Sequence, residues 1–289
     1  MEILWDHLTP TEWQSRLDAS GHWGMRQAWG YGAAMQRYGA HVARALIIEE
    51  GRALALAQLV QRRRLRLISQ GPVWLEILDA AQKARILRHL AHRIGATVAT
   101  PDAPLAGWGM MPLITAKTHA IWRIDRPETD LRKALHGKWR NRLLRAEEEV
   151  RPSLLKDDKS LEYLIAQEAA QRAHRGYRNL PGKMAVQWQG GRLVIGWRKA
   201  GAVQAGMVFL VHGVSASYHL GWASPLARAG FAHGPMLWQA ALALRRLGVR
   251  WLDLGEVNTQ SGASLARFKL GTGAEAMPLG ATCLVLPFP

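Results

Sequence analysis

Residues 251–275 read WLDLGEVNTQSGASLARFKLGTGAE. One lysine, Lys269, directly follows an aromatic residue, Phe268. The pair stands between a polar run, NTQSGAS, and the triplet Gly271, Thr272, Gly273. A cation next to backbone that glycine leaves open suits a developing oxyanion, because glycine has no Cβ to keep N–H groups away. Acyl transfer to an amine passes through such an oxyanion, and losing one donor to it costs roughly a hundred- to a thousand-fold in rate. For the pair in isolation, a surface lysine after a helix-starting loop is the commoner reading.

The attacking amine must also lose a proton. Asp253, Glu256, His219 and Asp102 are the candidate bases. Asp253 in its strand equally suits pairing with an arginine, and His219 beside Tyr218 equally suits a satisfied core histidine. An amine of ordinary pKa can lose its proton to water or to the substrate, so no dedicated base is required. Cys283, the single cysteine, sits in the apolar run ATCLVLPF and reads as a buried structural thiol. One cysteine rules out an intramolecular disulfide and a cysteine metal cluster, and no metal site is expected.

These groups need a scaffold, and 289 residues are enough for one large core or two smaller ones. Hydrophobic content of 48% with 21% charged residues is that of a folded chain. The net charge of +16 favours a polyanionic partner: RNA, anionic lipid head groups or a phosphorylated substrate. An arginine-rich proteome is the bland alternative. No zinc-finger spacing or basic-zipper pattern points to DNA. No apolar run reaches about 18 residues, so no integral membrane segment is expected, although peripheral membrane contact stays open. The N-terminus lacks a basic region ahead of an apolar core, so the expected location is cytoplasmic.

The elements come in one order, twice. Thr9, Pro10 and Glu12 form a capping-box start, and a second helix is expected from about Trp29. Three strand runs follow, ARALIIEE, ALALAQLVQ and RLRLIS, the first two joined at Gly51. An amphipathic helix with Leu78, Ile86, Leu90 and Ile94 on one face is expected to stop at Gly95, and ATVATP reads as the return strand. The second half repeats this: RLVIGWRK, AVQAGMVFLVH and VSASYHLGWA, a helix with Pro235 in its first turn and Gly248 at its cap, then VRWLDLGEV. Between the halves, Leu131, Leu135, Trp139, Leu143 and Ala146 mark a buried helix face. Lys138, Arg142 and Arg145 mark a basic stripe beside it, which most often is only a solvated face. Thirteen tryptophans are unusual. Trp188, Trp197, Trp222 and Trp238 are expected mostly in the core, with one or two at a cleft.

Antiparallel strands, a helix and a return strand form the core order of the GNAT acyltransferase fold. Two such cores, with the blocks RQAWGYGAAMQRYG, LISQGPVW, LHGKWRNRLLRAEE, AHRGYRNLP, YHLGWAS, GVRWLDLGEV and LARFKLGTG in this order, resemble the Fem-type peptidyltransferases of the GNAT superfamily. The resemblance covers nearly the whole chain. It departs from the family at Gln70 (family Arg), Glu256 (family Gly) and Thr272 (family Phe), and the chain lacks the coiled-coil arm of some members.

The resemblance implies an α/β (α+β) fold of two tandem GNAT-like domains, each a mixed, mostly antiparallel sheet flanked by helices. The expected domains are 1–125 and 126–276, with 277–289 returning as a strand of the first. It implies acyl transfer from aminoacyl-tRNA to an amine of a cell-wall precursor or related acceptor, with no tightly bound cofactor. Lys269, Phe268 and Asp253 become the expected catalytic group. Arg175, Tyr177, Tyr218 and Trp29 become expected substrate contacts, an arginine being suited to phosphate through its planar fork. Lys138, Arg140 and Arg142 become expected contacts to tRNA or phosphate. An acyl-CoA-dependent N-acyltransferase is the alternative, although SPLARAGFAHGPML, with Arg228, Gly230 and Gly234, departs from the usual pyrophosphate-loop spacing. A non-catalytic RNA-binding protein on the same shell is a third reading.

Overall fold

The computed structural model describes residues 1–92, 95–260 and 262–287. The chain divides into two compact units, Met1–His119 with Ala276–Pro289, and Ala120–Glu275.

The first unit contains β1 (Glu2–Trp5), α1 (Pro10–Ala19), α2 (Trp29–Arg37), β2 (His41–Glu49), β3 (Arg52–Arg62), β4 (Leu65–Ser69), β5 (Val73–Trp74), α3 (Ala80–Ala91), β6 (Ala96–Thr100) and β7 (Met110–Ile114). The Thr9 capping box forms as expected: the Glu12 amide donates to the Thr9 hydroxyl at 3.3 Å, and the Thr9 amide donates to the Glu12 carboxylate at 2.8 Å. Gly51, at φ +75, makes the tight β2–β3 turn. The sheet runs β1-β2-β3-β4-β6-β15-β7, with β15 (Thr282–Val285) coming from the end of the chain. Strands β4 and β6 are parallel, and α3 is the crossover between them. Its Ile86, Leu87 and Leu90 are buried against Ala45, Ile47, Leu54 and Ile68 of the sheet.

Helix α3 is shorter than the expected helix. An Asp79–Gln82 capping box sets its start after Leu78, and it ends at Ala91. Gly95 is not its cap. At φ +109 it makes the turn into β6, where a Cβ would collide with the Arg64 carbonyl. Ile94 lies outside the described residues.

The second unit is entered in β8 (Thr118–Arg123). It continues through α4 (Glu128–Ala134), α5 (Gly137–Glu149), β9 (Ser153–Leu154), α6 (Asp158–Arg175), α7 (Met184–Gln187), β10 (Arg192–Lys199), β11 (Ala202–His212), β12 (Ser215–Ala223), α8 (Pro225–Ala229), α9 (His233–Arg246), β13 (Trp251–Glu256) and α10 (Ala263–Leu270), and leaves at β14 (Glu275–Pro278). Its sheet runs β14-β8-β13-β12-β11-β10-β9. The apolar face Leu131, Leu135, Trp139, Leu143 and Ala146 is buried as expected, but on two helices. The chain is extended at Leu135, and the next amide, His136 N–H, donates to the Gly271 carbonyl at 2.9 Å. Of the four tryptophans, Trp188, Trp197 and Trp238 are buried. Trp222 is half-buried and packs edge-on against Tyr163.

Two features of this sheet prepare a site. Between β11 and β12 the register shifts, pairing Val208 with Leu220 and Phe209 with Tyr218, so His219 is an extra residue that bends β12. The parallel ladder of β12 with β13 covers Ser215–Ser217 against Trp251–Asp253. Both strands then run on, β12 to Ala223 and β13 to Glu256, and their backbones part.

Candidate functional site

Lys269 reaches the end of β13, beyond the last rung of this ladder. It sits on α10, a helix of eight residues, and is buried at 7% exposure. Its Nζ donates to the Glu256 carbonyl at 2.8 Å. Gly255 turns left-handed there, at φ +81, and a Cβ on it would come 3.5 Å from Nζ. The backbone at the end of β13 therefore bends under the ammonium. Burial pushes the Lys269 pKa down to about 8, and the charges of Asp253 and Glu256 pull it back up. At pH 7 the group is still mostly the cation.

Asp253 is buried, and its carboxylate accepts the Gly255 amide at 2.7 Å. This bond fixes the turn beneath Lys269, and the negative charge favours the ammonium. Glu256 approaches Lys269 through its carbonyl, while its side chain is exposed. His219 is buried and neutral, with a pKa driven down to about 4 by burial. Asp102 belongs to the first unit, where burial raises its pKa. Of the four candidate bases, the structure gathers Asp253 and Glu256 around Lys269 and gives each a positioning contact there.

Phe268 builds a wall. Its ring lies 5.9 Å from both Trp139 and Phe231, which are themselves 5.9 Å apart, and 6.3 Å from His233. The Arg142 guanidinium lies 5.2 Å above Phe231, so one member of the basic stripe reaches this cluster. Lys138 and Arg140 are exposed on α5. Phe231, His233 and Gly255 were not singled out in the sequence. The signal for Gly255 was present, a glycine at the end of a strand ahead of a polar loop. Phe231 and His233 show no periodicity that sets them apart.

The triplet after Lys269 differs from its expected role. The amides of Gly271, Thr272 and Gly273 donate to the carbonyls of Arg267, Lys269 and Leu270, so they are spent within the end of α10. A Cβ on Gly271 would stand 2.6 Å from Trp139 Cδ1, and one on Gly273 3.0 Å from the Ala134 carbonyl. These glycines are there for packing. In the preceding polar run, the Gln260 amide is bonded to the Asn258 side chain, and Ser261 lies outside the described residues.

The expected substrate contacts fall into two places. Arg175 ends α6 and is exposed, with Gly176 at φ +67 as its cap. The Tyr177 hydroxyl donates to the buried Glu168 at 3.0 Å and accepts from Gln171 at 3.2 Å. Tyr218 follows the last rung of the β12–β13 ladder and packs on Phe209 at 5.6 Å. Burial raises its pKa, and the Tyr177 and Glu168 charges add to the shift. A Cβ on Gly221 would collide with its hydroxyl. Trp29 belongs to the first unit, where the buried Arg44 guanidinium stacks 3.5 Å above its ring.

The segment after β12, where a CoA-binding GNAT core offers amides to pyrophosphate, is closed on itself. The amides of Arg228, Gly230, Phe231, Ala232 and Gly234 all donate to carbonyls within 224–231. A Cβ on Gly234 would collide with the Phe231 ring, which covers the first turn of α9. Among the described residues no group of three or more His, Cys, Asp or Glu is arranged to hold a metal ion. No described helix is long and apolar enough to cross a membrane.

No family model matches the chain, and no curated protein matches it in sequence. Solved structures do match in fold. FemX superposes with a TM-score of 0.77 at 14% identity, over 99% of this chain and 98% of that one. A tandem GNAT protein from the clavulanic acid biosynthesis pathway gives 0.54 at 14% identity, over 100% and 99%. L-PGS from Bacillus licheniformis gives 0.55 at 11% identity, over 97% and 92%. The chain has a Fem-type fold: tandem GNAT-like units, each a mixed sheet flanked by helices.

Proposed function

We propose that the chain is an aminoacyltransferase that moves an aminoacyl group from aminoacyl-tRNA to an amine of a cell-wall precursor or a related phosphorylated acceptor. The observation that carries this reading is the buried Lys269 ammonium at the end of β13, past the last rung that pairs β13 with β12. Keeping a cation there is unfavourable for folding, and the depressed pKa records that. A charge retained at such a place suits chemistry that develops negative charge.

The amine nitrogen attacks the ester carbonyl, and the carbonyl oxygen takes up negative charge facing Lys269. The C–N bond forms, the C–O bond to the ribose breaks, and the amine proton ends on the departing ribose hydroxyl. Asp253 holds the Gly255 turn and keeps Lys269 charged, so it positions the cation without touching the substrate. Phe268, Trp139 and Phe231 form the apolar wall, and Arg142 beside them, with Lys138 and Arg140 along the same helix, meets the tRNA backbone. Arg175 and Tyr177 face the acceptor phosphates, with Tyr218 deeper between the strands.

Acyl-CoA is the competing donor. Against it stand the Phe231 ring over the first turn of α9 and the internally bonded amides of 228–234. In the first unit the start of α3 is occupied by the Asp79 carboxylate, which repels a phosphate.

Titration of the purified protein with aminoacyl-tRNA, deacylated tRNA and acetyl-CoA, at about 50 and about 200 mM salt, tests the reading. The expected result is tightest binding of aminoacyl-tRNA, falling steeply with salt as counterions are released. Binding of acetyl-CoA with no preference for the charged tRNA would overturn it.

A further inference from the structure

One end of the first sheet carries an arrangement that acyl transfer does not use. The register places four segments side by side there. Arg66 of β4 lies beside Thr97 of β6, Thr97 beside Val285 of β15, and Val285 beside Met110 of β7. Two residues further out on the same end stand Arg64 and Trp108, separated by three strand spacings, about 14 Å. The Ala96 amide donates to the Arg64 carbonyl at 3.0 Å and the Leu286 amide to Gly109 at 2.8 Å, so both outer segments are held in place.

The side chains on this end are cationic and apolar. Arg62, Arg63 and Arg64 are consecutive and exposed. Leu65 is 42% exposed and Trp108 73%. Arg88 of α3 reaches the same end and donates to the Trp108 carbonyl at 3.0 Å. From Trp108 the edge strand β7 leads away from this end, and Met111 is the first of its exposed apolar side chains. The segments 62–66, 95–97, 108–110 and 284–287 contain no acidic residue.

The β2–β3 and β10–β11 turns, Glu50-Gly51 and Ala200-Gly201, each have a non-glycine residue at φ +50 followed by a glycine of positive φ. The β3–β4 turn is Arg63-Arg64, with Arg63 at φ +55, so its first residue takes the same conformation and two arginines stand at its tip.

We propose that this end of the first sheet docks the protein on an anionic lipid surface. The arginines meet the head groups, while Trp108, Leu65 and Met111 enter the interfacial layer. Tryptophan favours that layer, where an apolar ring meets water at one edge. Aliphatic side chains beside the arginines suit acyl chains better than the bases and sugars of a nucleic acid.

The test is co-sedimentation of the full chain with phosphatidylcholine vesicles, with and without about one third phosphatidylglycerol. Binding is expected only to the anionic vesicles. Each arginine near such a surface contributes about fivefold in affinity, so Arg63→Glu with Arg64→Glu should weaken binding by at least about 25-fold. Trp108→Ala should weaken it about tenfold through lost burial. All three residues are exposed, and an unchanged melting temperature would confirm that the variants fold. As a control, Lys138→Glu with Arg145→Glu on α5 should leave vesicle binding within about twofold. Equal losses from the α5 variant would show attraction by overall charge alone and overturn the proposal. So would binding that survives Arg63→Glu with Arg64→Glu, or variants that lose tRNA binding and keep vesicle binding.

Discussion

The two units share one order of elements, and they differ most at the far end of their parallel strand pairs. In the first unit, β4 and β6 stay paired along their full length, to Ser69 opposite Thr100. Beyond that rung the gap is closed: the Gly71 amide donates to Thr100 at 3.2 Å, and the Gln27 side chain donates to the Ser69 carbonyl at 2.8 Å. Gln27 also accepts the Gln58 amide at 2.7 Å, and Gln58 accepts from Arg44 at 2.9 Å, so a buried polar network fills the region. In the second unit, pairing stops at Ser217 opposite Asp253, and His219 bends β12 away. Both ends bury a cation, but Arg44 is tied into the glutamine network while Lys269 is bonded to the Glu256 carbonyl beyond the last rung. A duplicated scaffold has one closed end and one open end, and the proposed chemistry belongs to the open one.

Several changes would break or sharpen this contrast. The largest effect is expected from Lys269→Met, which should lower aminoacyl transfer roughly a hundred- to a thousand-fold. It should also leave the melting temperature equal or higher, because it removes a buried charge whose pKa is depressed from 10.5 to about 8. At roughly 1.4 kcal/mol per unit, that depression corresponds to a few kcal/mol of folding free energy at neutral pH. A residue kept only for structure would show the opposite sign in thermal melts.

Next comes Gly271→Val. Its side chain would meet Trp139 and the Arg267 carbonyl, and overpacking of this kind costs about 1–3 kcal/mol, read by urea denaturation. The pH profile follows. The active form of Lys269 is the cation, so transfer should fall about tenfold per unit as pH rises above about 8. Measured with hydroxylamine as an amine that is already neutral there, this limb should be absent in Lys269→Met. Gln27→Ala, in the closed unit, should cost about 2 kcal/mol by leaving the Gln58 amide and Ser69 carbonyl unpaired. Transfer per folded molecule should stay unchanged. A larger loss of transfer from Gln27→Ala than from Lys269→Met would reverse the comparison.

The strands and helices that carry the repeat were legible because their signals are local. The Thr9 capping box, the glycine turns and the alternation of the long strands each act within a few residues. Helix α6 was not legible. Its buried positions include Ser160 and Glu168 beside Leu161 and Leu164, so its apolar face is diluted, and Glu168 is accommodated by Arg172 one turn along the helix and by the Tyr177 hydroxyl beyond the helix end. Strand β7 was hidden for a related reason, since Pro112 interrupts it and its side chains are exposed.

For the site, Phe268 and Lys269 stood out through resemblance and chemistry. The burial of Lys269 depends on β13 turning at Gly255, which only the fold reveals. The triplet at 271–273 was read as a source of free amides. Glycine permits both close approach and tight packing, and the sequence has no means of separating them.

The most direct test of the account is single-turnover aminolysis at pH 7. Aminoacyl-tRNA labelled in the amino acid is mixed with hydroxylamine and either the unaltered protein or Lys269→Met, with tRNA binding measured in parallel. The account predicts that the unaltered protein accelerates hydroxamate formation over buffer, and that Lys269→Met binds the tRNA but falls roughly a hundred- to a thousand-fold towards background. Hydroxamate formed at the same rate by both proteins would contradict it.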